Sequence, residues 1–317
     1  MTTKKTLSYL GFTETFDVEG RATIADLFKP NKRCGIYILH TSNGEHYAGQ
    51  AIDVTRRYVQ HLKVHPDIVK ISFKRVPQKK LDQEEQKVIH TLEHEGFLLR
   101  NIAYASIPHG ESDFDLIMPV KEQERWLKNF SITGDESSQR IVDEGLRRKY
   151  RGRFALLMKE EYAKQAIELL RSYVQLCIPA SRRNEVSFWA VSCLPQKNVY
   201  SRINIYWQEV LQVFIYEKEL WLSLHLARYN SPFEILSDKS WDKFSKKYPS
   251  LGFFSDQIYK PGGADQTRVE VAASEFEEFI QDPRVLPAIR LFNMRLMKKG
   301  PCNWGHNHCL DLADKLV

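Results

Sequence analysis

Five side chains in the first third of the sequence have types and spacings suited to phosphodiester chemistry: Tyr37, Tyr47, Arg57, His61 and Glu85. Glu85 is the most informative. Leu81, Val88, Ile89 and Leu92 recur at helical spacing and define an apolar stripe, and Glu85 falls in its middle. An ionised carboxylate buried without a partner costs several kcal/mol, so this group is expected to be paired, protonated or bound to a metal. A lone carboxylate suits a hard cation that keeps most of its waters, which points to Mg²⁺ or Mn²⁺. The adjacent Glu84 points about 100° away on a helix and is expected to stay solvated. Tyr37 and Tyr47, taken singly, read as strand packing residues. A phenol titrates at about pH 10 and acts as a base only where a cation or metal-bound water lowers that value. Arg57 offers a rigid donor fork for phosphoryl oxygens, or is a solvated helix charge like Arg56. His61, one turn on, can bond a tyrosine or shuttle a proton near neutral pH. Asn101 contacts phosphate, braces Glu85 or is simply a turn residue.

The elements that must position these groups are legible. Residues 34–40 are β-branched and aromatic, and Ser42-Asn43-Gly44 turns the chain into a second strand over 46–49. Asp53 predicts the N-cap of a helix over 54–62, with Val54, Tyr58 and Leu62 on one face and Arg57 and His61 on a neighbouring one. A third strand over 71–76 ends at Pro77. The Glu85 helix runs over 81–95 and stops at Gly96, and 98–104 reads as extended. The expected unit, residues 1–108, is a compact α/β fold with a mainly antiparallel three-stranded sheet.

Residues 109–145 carry Gly110, Asp113, Asp115, Gly134, Asp135, Ser137 and Ser138 around one helical patch at 121–130, and read as a linker. Residues 146–317 predict a second α+β domain. Its signals are a helix at 160–176, a strand at 186–193, a meander over 202–207, 210–216 and 220–226, an edge strand over 269–272, and a helix over 275–298 interrupted by Pro283 and Pro287. The basic run Arg147, Arg148, Lys149, Arg151 and Arg153 suits phosphate-backbone contacts or plain solvation. Trp189, Tyr206, Trp207, Tyr216 and Trp221 interleave with charged residues, which fits base stacking or core packing. Cys302, His306, His308 and Cys309 are metal-capable but match no common zinc spacing.

The composition, 43% hydrophobic and 27% charged over 317 residues, predicts a soluble globular chain of two domains. No stretch approaches about 18 uncharged apolar residues, the first residues lack the apolar run of a signal peptide, and the five cysteines are odd in number. These features predict a cytoplasmic protein with reduced thiols and no membrane partner. The net charge of +6 divides into +4 over 1–108 (16 basic, 12 acidic) and +2 over the rest (30 basic, 28 acidic), compatible with a nucleic-acid partner.

Gly35-Ile36-Tyr37, then Tyr47-Ala48-Gly49, Arg57, His61, Glu85-Gln86-Lys87-Val88-Ile89 and Asn101 occur in an order and spacing that resembles the catalytic domain of GIY-YIG nucleases. The resemblance covers about residues 33–104. Ala48 departs from the usual isoleucine or valine, a change expected to affect packing only, and Gln50 suits the family. The resemblance implies a Mg²⁺-dependent DNA endonuclease leaving 5′-phosphate and 3′-hydroxyl ends. It implies that Tyr37 activates the attacking water, that Tyr47 orients water or phosphate, that Arg57 and a metal on Glu85 stabilise the transition state, and that His61 and Asn101 complete the catalytic set. Nothing in 110–317 resembles a family; that part is expected to choose the DNA target, single- or double-stranded. The rival readings are a non-cleaving DNA-binding or regulatory protein, and a defence or mobile-element protein whose C-terminal domain senses a ligand or partner.

Overall fold

The computed structural model describes residues 3–101, 104–131, 139–228, 238–254 and 259–317. The chain is a mixed α+β protein with antiparallel sheets, divided into two units, Met1–His109 and Gly110–Val317.

In the first unit the elements are α1 (Thr3–Tyr9), β1 (Thr15–Asp17), β2 (Gly35–Thr41), β3 (His46–Ala51), α2 (Val54–Leu62), β4 (Ile68–Arg75) and α3 (Leu81–His94). The sheet has four strands rather than the expected three, in the order β1-β4-β2-β3. The added strand is too short to show a period in sequence. It is fixed by pairing Thr15 with Ser72, whose hydroxyls meet at 2.7 Å. Strand alternation sends Ile36 and Ile38 to one face, where they pack with Leu7, Leu81, Val88, Ile89 and Leu92. Tyr37 and Leu39 go to the other, with Val54, Tyr58, Ile71 and Phe73. Each large side chain buried in these layers contributes about 1.5–3 kcal/mol. The helix α2 starts where Asp53 caps it, its carboxylate accepting from the Thr55 and Arg56 amides. Gly96, at φ +79°, ends α3 in the left-handed conformation a side chain would disfavour. Among the described residues of the extended segment after it, Leu99 makes a parallel bridge to His46.

The second unit contains α4 (Phe114–Ile117), α5 (Val120–Lys128), α6 (Glu144–Leu157), α7 (Ala163–Cys177), β5 (Trp189–Gln196), β6 (Val199–Ile205), β7 (Gln208–Tyr216), β8 (Glu219–Leu226), α8 (Asp238–Lys247), β9 (Gly252–Phe254), β10 (Thr267–Ala272), α9 (Ala273–Ile280), α10 (Val285–Lys299) and α11 (Leu310–Ala313). Its sheet runs β5-β6-β7-β8-β10-β9. The strand expected at an edge, β10, is therefore interior, paired with β8 on one side and β9 on the other. Glu217 and Lys218 both take positive φ in the β7–β8 turn, as a two-residue hairpin connection requires. Only Pro283 interrupts the last long helical stretch; Pro287 sits in the first turn of α10, where its missing N–H is not needed.

The segment read as a linker belongs to this second unit. Phe114, Met118 and Trp126 are in its core. The physical reason is Arg290, a fully buried arginine on α10. Its guanidinium donates to the Leu176, Trp126 and Asn129 carbonyls at 2.7, 2.7 and 3.0 Å and stacks on the Trp126 ring, tying the C-terminal ends of α5 and α7 to α10. Burial lowers its pKa to about 10, still charged at neutral pH. Gly134, Asp135, Ser137 and Ser138 lie outside the described residues.

Candidate active site

Tyr37, Tyr47, Arg57 and His61 converge on the α2 face of the first sheet. Tyr37 stands on β2 opposite Gly49 of β3, and Tyr47 two residues earlier on β3 shares that face. The two phenol rings lie 6.4 Å apart in nearly parallel planes. Gly49 has a steric reason to be glycine. A Cβ there would stand 2.4 Å from Tyr37 Oη and 3.0 Å from the Tyr47 ring. Gly35 is equally constrained, since its Cβ would meet the Lys74 carbonyl at 2.1 Å. Both glycines of the two motifs are thus packing requirements of the paired strands.

Tyr37 Oη lies 2.7 Å from His61 Nε2, and both side chains are buried. Burial, then the neighbouring Tyr47, pushes the Tyr37 phenol well above its ordinary pKa; Arg57 pulls the other way and Glu85 adds to the rise. Burial, with Arg57 and His65 adding to it, holds His61 down at about 4. At neutral pH the pair is a neutral phenol and a neutral imidazole, so the phenol donates and Nε2 accepts. Arg57 neighbours both phenols, and their influence, Tyr37 first, raises its pKa further. Its Nη1 also donates to Gln60 at 2.9 Å.

Glu85 stands on α3, in the layer across the sheet, near enough for its charge to raise the Tyr37 pKa. Rather than being buried in the apolar stripe, it is half-exposed, because the helix leaves that position at the rim beside β3. Gln50 Nε2 donates to Glu85 Oε2 at 3.1 Å and to Asp82 Oδ1, so two carboxylates one turn apart converge on one amide nitrogen. Glu84 is not simply solvated but pairs with Lys74 at 2.9 Å, which holds its carboxyl below the usual range. Among the described residues no group of three or more His, Cys, Asp or Glu side chains is arranged to hold a metal. A hard cation needs less, since Mg²⁺ typically takes one or two carboxylates and keeps waters. The oxygens of Glu85 and Asp82, drawn to one donor nitrogen, fit such a cation.

Asn101 does something different from the three roles the sequence allows. It is buried, its Oδ1 accepts from the Ala48 amide at 2.9 Å and its Nδ2 donates to the Ala48 carbonyl. The amide replaces a missing neighbour strand on the open edge of β3 and braces the Tyr47–Gly49 segment, its hydrogen bonds going to Ala48 rather than to Glu85. His65 and Asp82 were not singled out from sequence. His65 sits one turn after His61, with ring centroids 6.0 Å apart, and its i+4 spacing was the available signal.

The basic run falls on α6. Arg147 is taken up by Asp311 and Asp314 at 2.6 and 2.7 Å, which raise its pKa, the Asp314 bond most. Lys149 donates to the His306 carbonyl, while Arg148, Arg151 and Arg153 are exposed. Of the aromatics, Trp189 is core, Tyr206 and Trp221 are half-buried, and Trp207 and Tyr216 are exposed at turns. Cys302, His306, His308 and Cys309 do not form one centre. His308 Nε2 contacts buried Glu185 at 2.9 Å and Nδ1 accepts from Val191, while Cys302 points to the Asn204 carbonyl. Compared with protein-family models, curated proteins and solved structures, the chain gives no match. Among the described residues no helix is long and apolar enough to cross a membrane.

Proposed function

We propose that the chain is a Mg²⁺- or Mn²⁺-dependent DNA endonuclease of the GIY-YIG type, with residues 33–104 as its catalytic domain. The observation that carries the reading is the 2.7 Å Tyr37–His61 hydrogen bond with Arg57 beside the same phenol. It joins a proton-transfer couple to a fixed positive charge on one surface. Arg57 grips phosphoryl oxygens and holds them through the rise in negative charge. Tyr37 orients the attacking water; as the water's proton passes to Tyr37 Oη, the phenol proton passes to His61 Nε2. Tyr47 fixes the water or phosphate from the neighbouring strand. Glu85, with Asp82, would hold the metal, which when bound neutralises a non-bridging oxygen and stabilises the leaving 3′ oxygen. The expected ends are 5′-phosphate and 3′-hydroxyl.

Cleavage of matched single- and double-stranded DNA, with Mg²⁺ and with EDTA, tests the reading. Cutting with Mg²⁺ that EDTA abolishes supports it. Binding of both substrates with no cutting of either would leave a non-cleaving DNA-binding protein.

A further inference from the structure

We propose that the second unit holds one unstacked nucleotide in a recess of about 270 Å³ between α6, the β5–β6 hairpin and the loop after α10. This volume falls just below the roughly 300 Å³ at which ligand sites begin, so it suits one flat ring, with the sugar and phosphate at its open mouth. The wall chemistry is specific. Trp304 supplies a half-exposed indole, and the buried Tyr150 ring lies in the wall under the Arg153 guanidinium, its hydroxyl donating to the His306 carbonyl and to Asn307 Oδ1 at 2.9 and 3.0 Å. Arg153 and Arg202 bring two guanidiniums, and among the described residues no acidic side chain lines the recess. Arg202 is paired from behind, through Nε, with Glu209 at 2.7 Å, which orients its fork. Arg153, exposed and over the Tyr150 ring, has no described ion pair. Asn204 adds an amide able to read a base edge, and Asn307, whose Oδ1 accepts from Tyr150, adds its amide Nδ2 as a donor.

A flat aromatic face, two amides and two guanidiniums, one of them ion-paired to Glu209, at one small recess select an anion carrying a heterocycle, which is a nucleotide. The exposed Arg148 and Arg151 lie well round α6 from Arg153 at about 100° per residue, so the source of the nucleotide is set by the nuclease reading rather than by them. The nucleotide is therefore assigned to a DNA strand, unstacked from its neighbours. This assignment of source rests on the nuclease reading; the nucleotide chemistry does not.

Binding is measured in EDTA, so that no cutting intervenes, with three probes: deoxynucleoside 5′-monophosphates, single-stranded oligonucleotide, and duplex containing 2-aminopurine. Wild type is compared with Trp304→Ala, Trp304→Phe and Arg153→Gln, with melting curves to confirm folding. Loss of one stacked base corresponds to roughly 5- to 150-fold weaker binding, expected for Trp304→Ala and largely restored by Trp304→Phe. Arg153→Gln weakens all DNA about equally and lowers the slope of log affinity against log salt by about 1. Trp304-dependent DNA binding with brightening of 2-aminopurine supports a nucleotide drawn from the strand. Trp304-dependent binding of monophosphates with unaltered DNA affinity supports the pocket and assigns it a free nucleotide. Binding of every probe that ignores both residues, or no binding of any, overturns the proposal. The nuclease reading fails separately, as absence of Mg²⁺-dependent cutting by protein that binds DNA.

Discussion

If Tyr37 and His61 act as one proton-transfer couple, removing either must cost nearly as much as removing both. Their bond is 2.7 Å and buried, so Tyr37→Phe takes from Nε2 its phenol donor and His61→Leu takes from the phenol proton its acceptor. A buried polar group left without its partner costs about 1–3 kcal/mol. That is a minority of the roughly 5–15 kcal/mol that holds a domain together, so both variants stay folded. The kinetic effect is larger. A positioned acid–base group contributes about 10²–10⁴-fold, and each single variant should slow single-turnover cleavage of DNA at saturating Mg²⁺ by that order. The double variant should fall within a few-fold of the slower single one, because a group without its partner has nothing left to lose. Multiplicative losses across the cycle would refute the couple and leave two independent contributors.

The resting site also sets an acid limit on stability. His61 and His40 are both held near 4, by burial first, whereas an unfolded histidine titrates at about 6.5. The unfolded chain therefore takes up protons first as pH falls. Stability is complete above about pH 6.5 and is lost on the way down to about 4, on the order of 1–2 kcal/mol per histidine after solvent screening. Urea midpoints at pH 7 and pH 5 measure it, and His40→Gln should flatten the difference. Gly49→Ala sets a Cβ against the Tyr37 phenol at 2.4 Å, so cleavage should drop by at least tenfold, about 1.4 kcal/mol of misplacement, with circular dichroism unchanged. Arg290→Met removes a charge but strands three carbonyls, and should destabilise the second unit by about 3–5 kcal/mol, read as an earlier thermal transition. Near-normal melting of that variant would show the buried guanidinium to be dispensable.

What was legible in sequence was whatever local periodicity or capping determines. The hairpin, Asp53-capped α2 and Gly96-stopped α3 follow from turn chemistry and spacing, and they carry Tyr37, Tyr47, Arg57 and His61 to one surface. Glu85 was misjudged in its burial because a helical period says which face a residue shares, not where that face runs out at the rim of the sheet. Asn101 could not be assigned, since its partner is the backbone of a strand fifty-three positions away. The linker reading failed for a related reason. Small polar residues around α4 and α5 look like a connector, while the buried Arg290 that holds them lies on α10. Composition cannot see a long-range hydrogen bond.

The depressed basicity of His61 bears on how the proposed reaction begins. At about 4 it is too weak a base to draw a proton from Tyr37 in the resting state. After burial, the next cause of that depression is the Arg57 charge, which is also the group placed to meet phosphate. An anion bound at Arg57 offsets that charge and makes protonated His61 less costly, so the imidazole gains basicity only once phosphate is in place. Burial remains, so the rise is partial. The expected observation is an upward shift of the His61 titration, followed by NMR, on adding DNA with Ca²⁺ in place of Mg²⁺ to suppress cutting. The same shift should be absent in Arg57→Gln, whose His61 already starts higher. A His61 titration that DNA leaves unmoved in the wild type would remove this coupling between binding and proton transfer.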